Sequence, residues 1–338
     1  MTENQPVSTP QPVSTPQPVQ LGLCCLNTKL RAEKPPIFCS RTMIIRSIKE
    51  KGIDELKKRI LENLKDLIKM IEWNEEHGIR VMRLSSHLFP HKSNTKIDSY
   101  SFDFAKDLLK QVGDTYRKYN HRLTFHPGQY NVIGTNDPKK LQQTINDLEY
   151  HADVLNLIGV DKDGVMVVHG GGTYGDKKAT IDRWCENYEK LPEKIKYRLV
   201  LENCEKSFSI KDCLEISDRV NIPVVLDTHH YECYKHYHPE EIENIKPASE
   251  YISHILETWK RRDKKPKFHV SEQGAGQVGH HSDFIEVIPE YLLEIPEKYG
   301  VHIDIMIEAK LKEQAIFKLY QKYPQLNCKK KTYKFKRK

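Results

Sequence analysis

The chain has 338 residues, 38% hydrophobic and 30% charged, with a formal charge of +7. That length holds one large barrel domain or two ordinary domains. No apolar run approaches the roughly 20 residues of a membrane helix, and MTENQPVSTP lacks the basic and apolar regions of a secretory signal, so an intracellular protein with no membrane segment is expected.

The chain opens with two copies of QPVSTP and a third partial one, a Pro-rich repeat with nothing to bury; residues 1–20 are therefore expected to be a disordered, extended arm. From residue 21, short β-branched runs alternate with longer amphipathic stretches. Strands are predicted at LGLCCL from Leu21, IRVMRLS from Ile79, RLTFH from Arg122, GVMVVH from Gly164, RLVLEN from Arg198, IPVVLD from Ile222, KFHVSE from Lys267 and HIDIMIE from His302. Helical patterns lie between them, the longest being DELKKRILENLKDLIKMIEW from Asp54, and DFIEVIPEYLLEI is read as one helix. Eight strands, each followed by a helix, predict an α/β fold: a single (β/α)8 TIM barrel over residues 21–325. A doubly wound sheet would carry a Gly-rich phosphate fingerprint after the first strand, and none is present. GGGTYG at 170–175 reads as a flexible loop and HYECYKHYHPEE as a solvated one.

The eight cysteines show no CxxC pair, so reduced thiols are expected, with Cys24 and Cys25 as small buried residues. Residues 326–338 form a basic tail. Its last ten residues, KKKTYKFKRK, carry seven Lys or Arg and no acid, so residues 1–328 sum to 7 − 7 = 0. Cations interleaved with Tyr333 and Phe335 suit nucleic acid, and an import signal is the rival reading.

In such a barrel the chemistry gathers at the C-terminal ends of the strands. Those ends carry Asn27, His87, His126, His169, Glu202, Asp227, His269 and Glu308, with His230 and His281 close behind. Each alone has an ordinary structural reading. Together they would be costly to bury without cations, and an imidazole and carboxylate set of this size suits two or three divalent metal ions, with manganese first and zinc or iron as alternatives. Such a cluster points to phosphodiester hydrolysis. A metal-dependent sugar isomerase or epimerase is the rival enzyme, and a damage-binding protein with a structural metal site is the rival outside catalysis. In HRLTFHPGQY the strand stops at His126, Pro127 and Gly128 turn the chain, and an amide and a phenol follow at Gln129 and Tyr130.

The ordered series LGLCCLN, KPPIFCSRT, GIRVMRLSSHLFP, HPGQY, VVHGGG, LEN, DTHH, PKFHVSEQ, HHSD and DIMIEAKLKE resembles the UV-damage endonucleases, relatives of the endonuclease-IV-type abasic-site nucleases, over residues 21–320. The resemblance implies a repair enzyme that nicks damaged double-stranded DNA immediately 5′ to cyclobutane pyrimidine dimers and 6-4 photoproducts, and by extension abasic sites, leaving 3′-hydroxyl and 5′-phosphate ends. It implies His126 and His169 on one ion, Glu202 bridging to a second held by Asp227, His269 and Glu308, and His230 with His281 on a third. Lys267 would be carboxylated as an extra ligand, and His87 would contact phosphate. Gln129 and Tyr130 would probe the lesion, with Asn27 a polar contact on the damaged side. One departure is Leu23, where members often carry a tyrosine that can stack. A monomer, acting in the nucleus or nucleoid, is expected.

Overall fold

The computed structural model describes residues 17–329; the predicted arm up to residue 16 and the basic residues 330–338 lie outside the described residues. Eight parallel strands run Val19–Cys24 (β1), Val81–Arg83 (β2), Arg122–Thr124 (β3), Met166–His169 (β4), Leu199–Glu202 (β5), Val224–Val225 (β6), Lys267–Val270 (β7) and Ile303–Ile307 (β8). They pair in the orders β3-β2-β1-β8-β7 and β4-β5-β6. Backbone bonds close both seams: Phe125 N donates to Val165 O at 2.9 Å, and His269 N donates to Leu226 O at 3.0 Å. The sheet is therefore a closed barrel, the fold expected from eight alternating units. Strands β5, β7 and β8 are buried throughout, as a sheet covered on both faces requires.

Local chemistry sets the helix ends. Pro138–Ile158 starts on the Asp137 side chain, which accepts from Lys139 N, and stops at Gly159 with φ 76°. Ile210–Val220 opens with a reciprocal Ser209 and Asp212 capping box.

Four readings differ from the sequence expectation. The first strand begins at Val19 rather than residue 21, because Val19 and Gln20 pair with Ile303 and Asp304 of β8. DFIEVIPEYLLEI is not one helix: the chain is extended up to Pro289, and two short helices follow at Glu290–Leu293 and Ile295–Tyr299. Proline lacks the N–H that a helix interior needs. Thr228–Tyr237 is a helix, not a solvated loop, with His229 and His230 buried. The predicted tail also starts too early, since Leu326 and Asn327 are buried against the barrel.

A polar layer seals the N-terminal end of the barrel. Arg122 donates to Asp304 at 2.7 Å and to the carbonyls of Asp163 and Lys265, while Lys265 Nζ reaches Asp304 at 2.5 Å. At the same end, Lys329 pairs with Glu75 at 2.7 Å, so the described chain ends on the face opposite the strand C-termini. Among the described residues no helix is long and apolar enough to cross a membrane. Asp304 is fully buried, and Asp304→Ala leaves the Arg122 guanidinium unpaired in the interior. A loss of about 3–5 kcal/mol in unfolding free energy is expected from denaturant titration; an unchanged midpoint would show that the layer contributes nothing.

Candidate metal centre

The C-terminal ends of β3 to β8 bring most of the sequence candidates to one point. Strand register does this: His169 of β4 lies opposite Glu202 of β5, and Asp227 bridges to His269 across the β6–β7 seam. Glu202 is fully buried and central. It accepts from His126 Nε2 at 2.8 Å and His269 Nδ1 at 2.6 Å, with His169 Nε2 at 3.7 Å and His230 Nδ1 at 3.9 Å. Asp227, also fully buried, caps the helix behind it by accepting from the backbone N–H groups of His229 and His230.

Three atoms of this cluster have no hydrogen-bond partner although they are buried: Asp227 Oδ2, His269 Nε2 and His169 Nδ1. Orphaned polar atoms are rare in a folded interior, and metal ligation is one remedy. The geometry fits divalent ions. His126, His169 and Glu202 can bring one ligand atom each within 4.8 Å of one another, as can Glu202, Asp227 and His269. Glu202 belongs to both groups.

Burial governs the protonation of the cluster. It pushes the His169 and His269 imidazoles down to about 4, leaving them neutral and able to ligate. It pushes Asp227 up to about 7, with Glu202 and Glu308 adding to the effect. His230 moves the other way, up to about 9, because Asp227, Glu202 and Glu205 outweigh its burial. Glu202 stays well below the usual carboxylate range: burial opposes ionisation, and His269, His169 and His126 overcome it.

The remaining candidates divide. Glu308 lies 3.4 Å from His269, and its carboxylate accepts from Arg83 at 2.5 Å. His281 is half-buried, its ring 5.9 Å from that of His229. Gly128, Gln129 and Tyr130 are all exposed, Tyr130 by 85%, directly after half-buried His126. His87 is exposed and lines a cleft of about 620 Å³ together with Tyr130, His91 and Asn131. Asn27 is 1% exposed, and its Oδ1 caps a short helix by accepting from Leu30 N at 2.9 Å. Leu23 is fully buried in the main core, so that position presents no side chain to a ligand.

Two functional neighbours escaped the sequence reading. Arg83 steadies Glu308; its signal was an arginine inside the apolar run VMRLS. Asn203 holds the β5 and β6 ends together, donating to Asp227 O at 3.1 Å and accepting from Asp227 N at 2.9 Å; its only signal was its place after Glu202.

Comparison with known proteins agrees with this geometry. The UV-endonuclease UvdE family model matches residues 19–335. A UV-damage endonuclease of Schizosaccharomyces pombe is 40% identical over 90% of this chain, which spans 50% of that longer protein. A UV DNA damage endonuclease of Bacillus cereus is 32% identical, covering 80% of this chain and 84% of its own. The crystal structure of SacUVDE superposes with a TM-score of 0.78 at 29% identity, over 91% of this chain and all of that one. Endonuclease IV of Thermus thermophilus, at TM-score 0.53 and 13% identity over 92% of this chain and 99% of its own, shares the fold.

Lys267 is fully buried beside the cluster, and its described hydrogen bond is a long one of 3.4 Å to Thr124 Oγ1. Burial, with Arg83 and Arg122 adding, lowers its amine from the ordinary 10.5 to about 7. A depressed lysine is a stability cost that is full below the folded value and fades as pH rises towards the unfolded one. In metal-free protein, Lys267→Met is therefore expected to raise the melting temperature. The gain should be largest at pH 7 and below and should shrink between pH 7 and about 10.5. Thermal unfolding of both proteins across that range checks it, and a gain that grows with pH would refute the assignment.

Proposed function

Because the chain belongs to the UV-endonuclease UvdE family, we propose that it is a metal-dependent DNA repair endonuclease acting on UV-damaged double-stranded DNA. It hydrolyses the phosphodiester immediately 5′ to cyclobutane pyrimidine dimers and 6-4 photoproducts, accepts abasic sites as well, and leaves 3′-hydroxyl and 5′-phosphate ends. The observation that carries this reading is the exposed Gln129–Tyr130 pair three residues beyond a buried histidine and carboxylate cluster at the mouth of the barrel.

In this reading His126 and His169 hold one ion, and Glu202 bridges to a second held with Asp227, His269 and Glu308. His230 and His281 hold a third. The mixed nitrogen and oxygen donors suit manganese first and zinc second. When bound, such ions supply Lewis-acid activation of water and neutralise charge on the phosphoryl oxygens. The chain's own part is to position and to exclude. Arg83 orients Glu308 and Asn203 pins Asp227, both from behind the cluster. Lys267, an amine partly neutral near pH 7, would add through its nitrogen to carbon dioxide and release one proton, the resulting carbamate being a further anionic ligand. Exposed His87 contacts a phosphate oxygen, while Gln129 and Tyr130 enter the duplex and fill the space left by the extruded lesion. Asn27 is read as the polar contact on the damaged side; its Oδ1 caps a short helix and its Nδ2 has no hydrogen-bond partner. One mouth treats one lesion, so the protein acts as a monomer, in the nucleus or nucleoid where its substrate lies.

The test is to incubate protein and manganese with a duplex bearing one pyrimidine dimer and with its undamaged twin, and to map any nick at nucleotide resolution. A nick immediately 5′ to the dimer, abolished by chelator, is expected. Glu202→Gln should reduce nicking by at least about 100-fold, more than losing an outer ligand partner costs, while damaged duplex is still bound. Binding without any nick in the wild-type protein would favour the damage-binding alternative, and neither binding nor nicking would leave the isomerase alternative.

A further inference from the structure

The loop after β4 carries a second exposed aromatic ring that the lesion-probing pair does not account for. Tyr174, five residues past His169, is 43% exposed. It sits with Gly175 at the tip of a tight turn closed by Asp176 N donating to Thr173 O at 3.0 Å. Both tip residues have positive φ, 52° for Tyr174 and 84° for Gly175. Glycine adopts that backbone freely, whereas a tyrosine there is strained by roughly 1 kcal/mol or more. The cost is not offset by burial of the ring.

The turn is nonetheless fixed. Thr180 Oγ1 donates to Thr173 O at 2.6 Å. Arg183 lies 5.4 Å from the centroid of the Tyr174 ring, donates to Thr180 Oγ1 at 2.9 Å and donates through Nε to Gly134 O at 2.7 Å. Gly134 ends the segment that begins with Gln129 and Tyr130. A Cβ on Gly171 would stand 3.3 Å from the Val132 side chain, so the two loops also lie close together there. One arginine thus ties the Tyr174 turn to the probe loop and backs the ring with a cation.

We propose that Tyr174 is a second stacking residue of the substrate site, taking on its open face a nucleobase unstacked by the distortion around the lesion. Arg183 is its positioning residue. The inference rests on the endonuclease reading above. An aromatic face accepts any base, which suits a site that must tolerate every sequence flanking a lesion. A guanidinium near a ring adds attraction for phosphates close by without supplying a base-specific contact. Tyr130 and Tyr174, on adjacent loops tied together, would then grip the opened duplex at two points.

Affinity for a dimer-bearing duplex is measured by fluorescence anisotropy in the Glu202→Gln background, with Tyr174→Ala and Tyr174→Phe added in turn. The readout does not depend on nicking. Tyr174→Ala should weaken binding by at least about fivefold, the low end of one stacked base, and Tyr174→Phe should bind as the parent does. With the wild-type background, Tyr174→Ala should raise KM while kcat stays within about twofold. Unchanged affinity in Tyr174→Ala overturns the proposal, as does an equal loss in Tyr174→Phe, which would assign the effect to the hydroxyl. A wild-type protein that binds the lesion but never nicks it removes the endonuclease reading, and the affinity series still judges Tyr174. A protein that does not bind damaged duplex removes both.

Discussion

The structure turns on one carboxylate. Glu202 is buried completely and hydrogen-bonded by His126 and His269 from strands on either side of it. For those contacts to form, the ends of β3, β5 and β7 must lie level across the barrel, and His169 and Asp227 must fall into the same layer through the β4–β5 register and the β6–β7 bridge. A slip of one residue in any of these strands would turn a ligand outwards, because side chains alternate faces. The closed sheet is therefore more than a scaffold here: its register is the geometry of the site.

That geometry is held at a cost. Asp227 and Lys267 are fully buried with ionisation displaced far from ordinary values, and three polar atoms lack partners. A site prepared for cations is expected to be strained without them, since charges and lone pairs that converge on a ligand repel one another until it arrives. The opposite end of the barrel shows the contrary design. Arg122, Asp304 and Lys265 satisfy one another and the surrounding carbonyls. Stability and function are separated along the barrel axis, as is usual when active residues sit at strand C-termini.

The fold was legible because period and punctuation agree: eight apolar runs of strand length, each followed by an amphipathic stretch. The candidate cluster was legible because His126, His169, Glu202, Asp227, His269 and Glu308 all fall where such runs end. The errors have physical causes. HYECYKHY is rich in polar residues, but Asp227 caps its helix and the barrel mouth covers His230 and the preceding His229, so tertiary packing makes a helix of what looked solvated. Asn27 sits at a strand end like the others, and its Oδ1 also caps the short helix that starts there. Arg83 looked like an interruption of an apolar run, and only the neighbouring β8 end explains it.

The charge of the chain also takes on a different meaning once its path is known. The net positive charge resides in the last ten residues, and the rest sums to zero. Lys329, the first of those cations, is paired with Glu75 beside Arg80 and His121, where β2 and β3 begin. The metal cluster lies at the other ends of the same strands. Between exposed charges, influence through solvent decays over a Debye length of roughly 8–10 Å at ordinary salt, so Lys329 itself adds little to the potential at the mouth. On the proposed reading, a duplex at the mouth is held by what lies there: the cluster, His87, and the rings of Tyr130 and Tyr174. On that reading, binding built on such contacts depends less steeply on salt than binding through a run of cations would, and distortion of the duplex, rather than its charge, is what the proposed site selects.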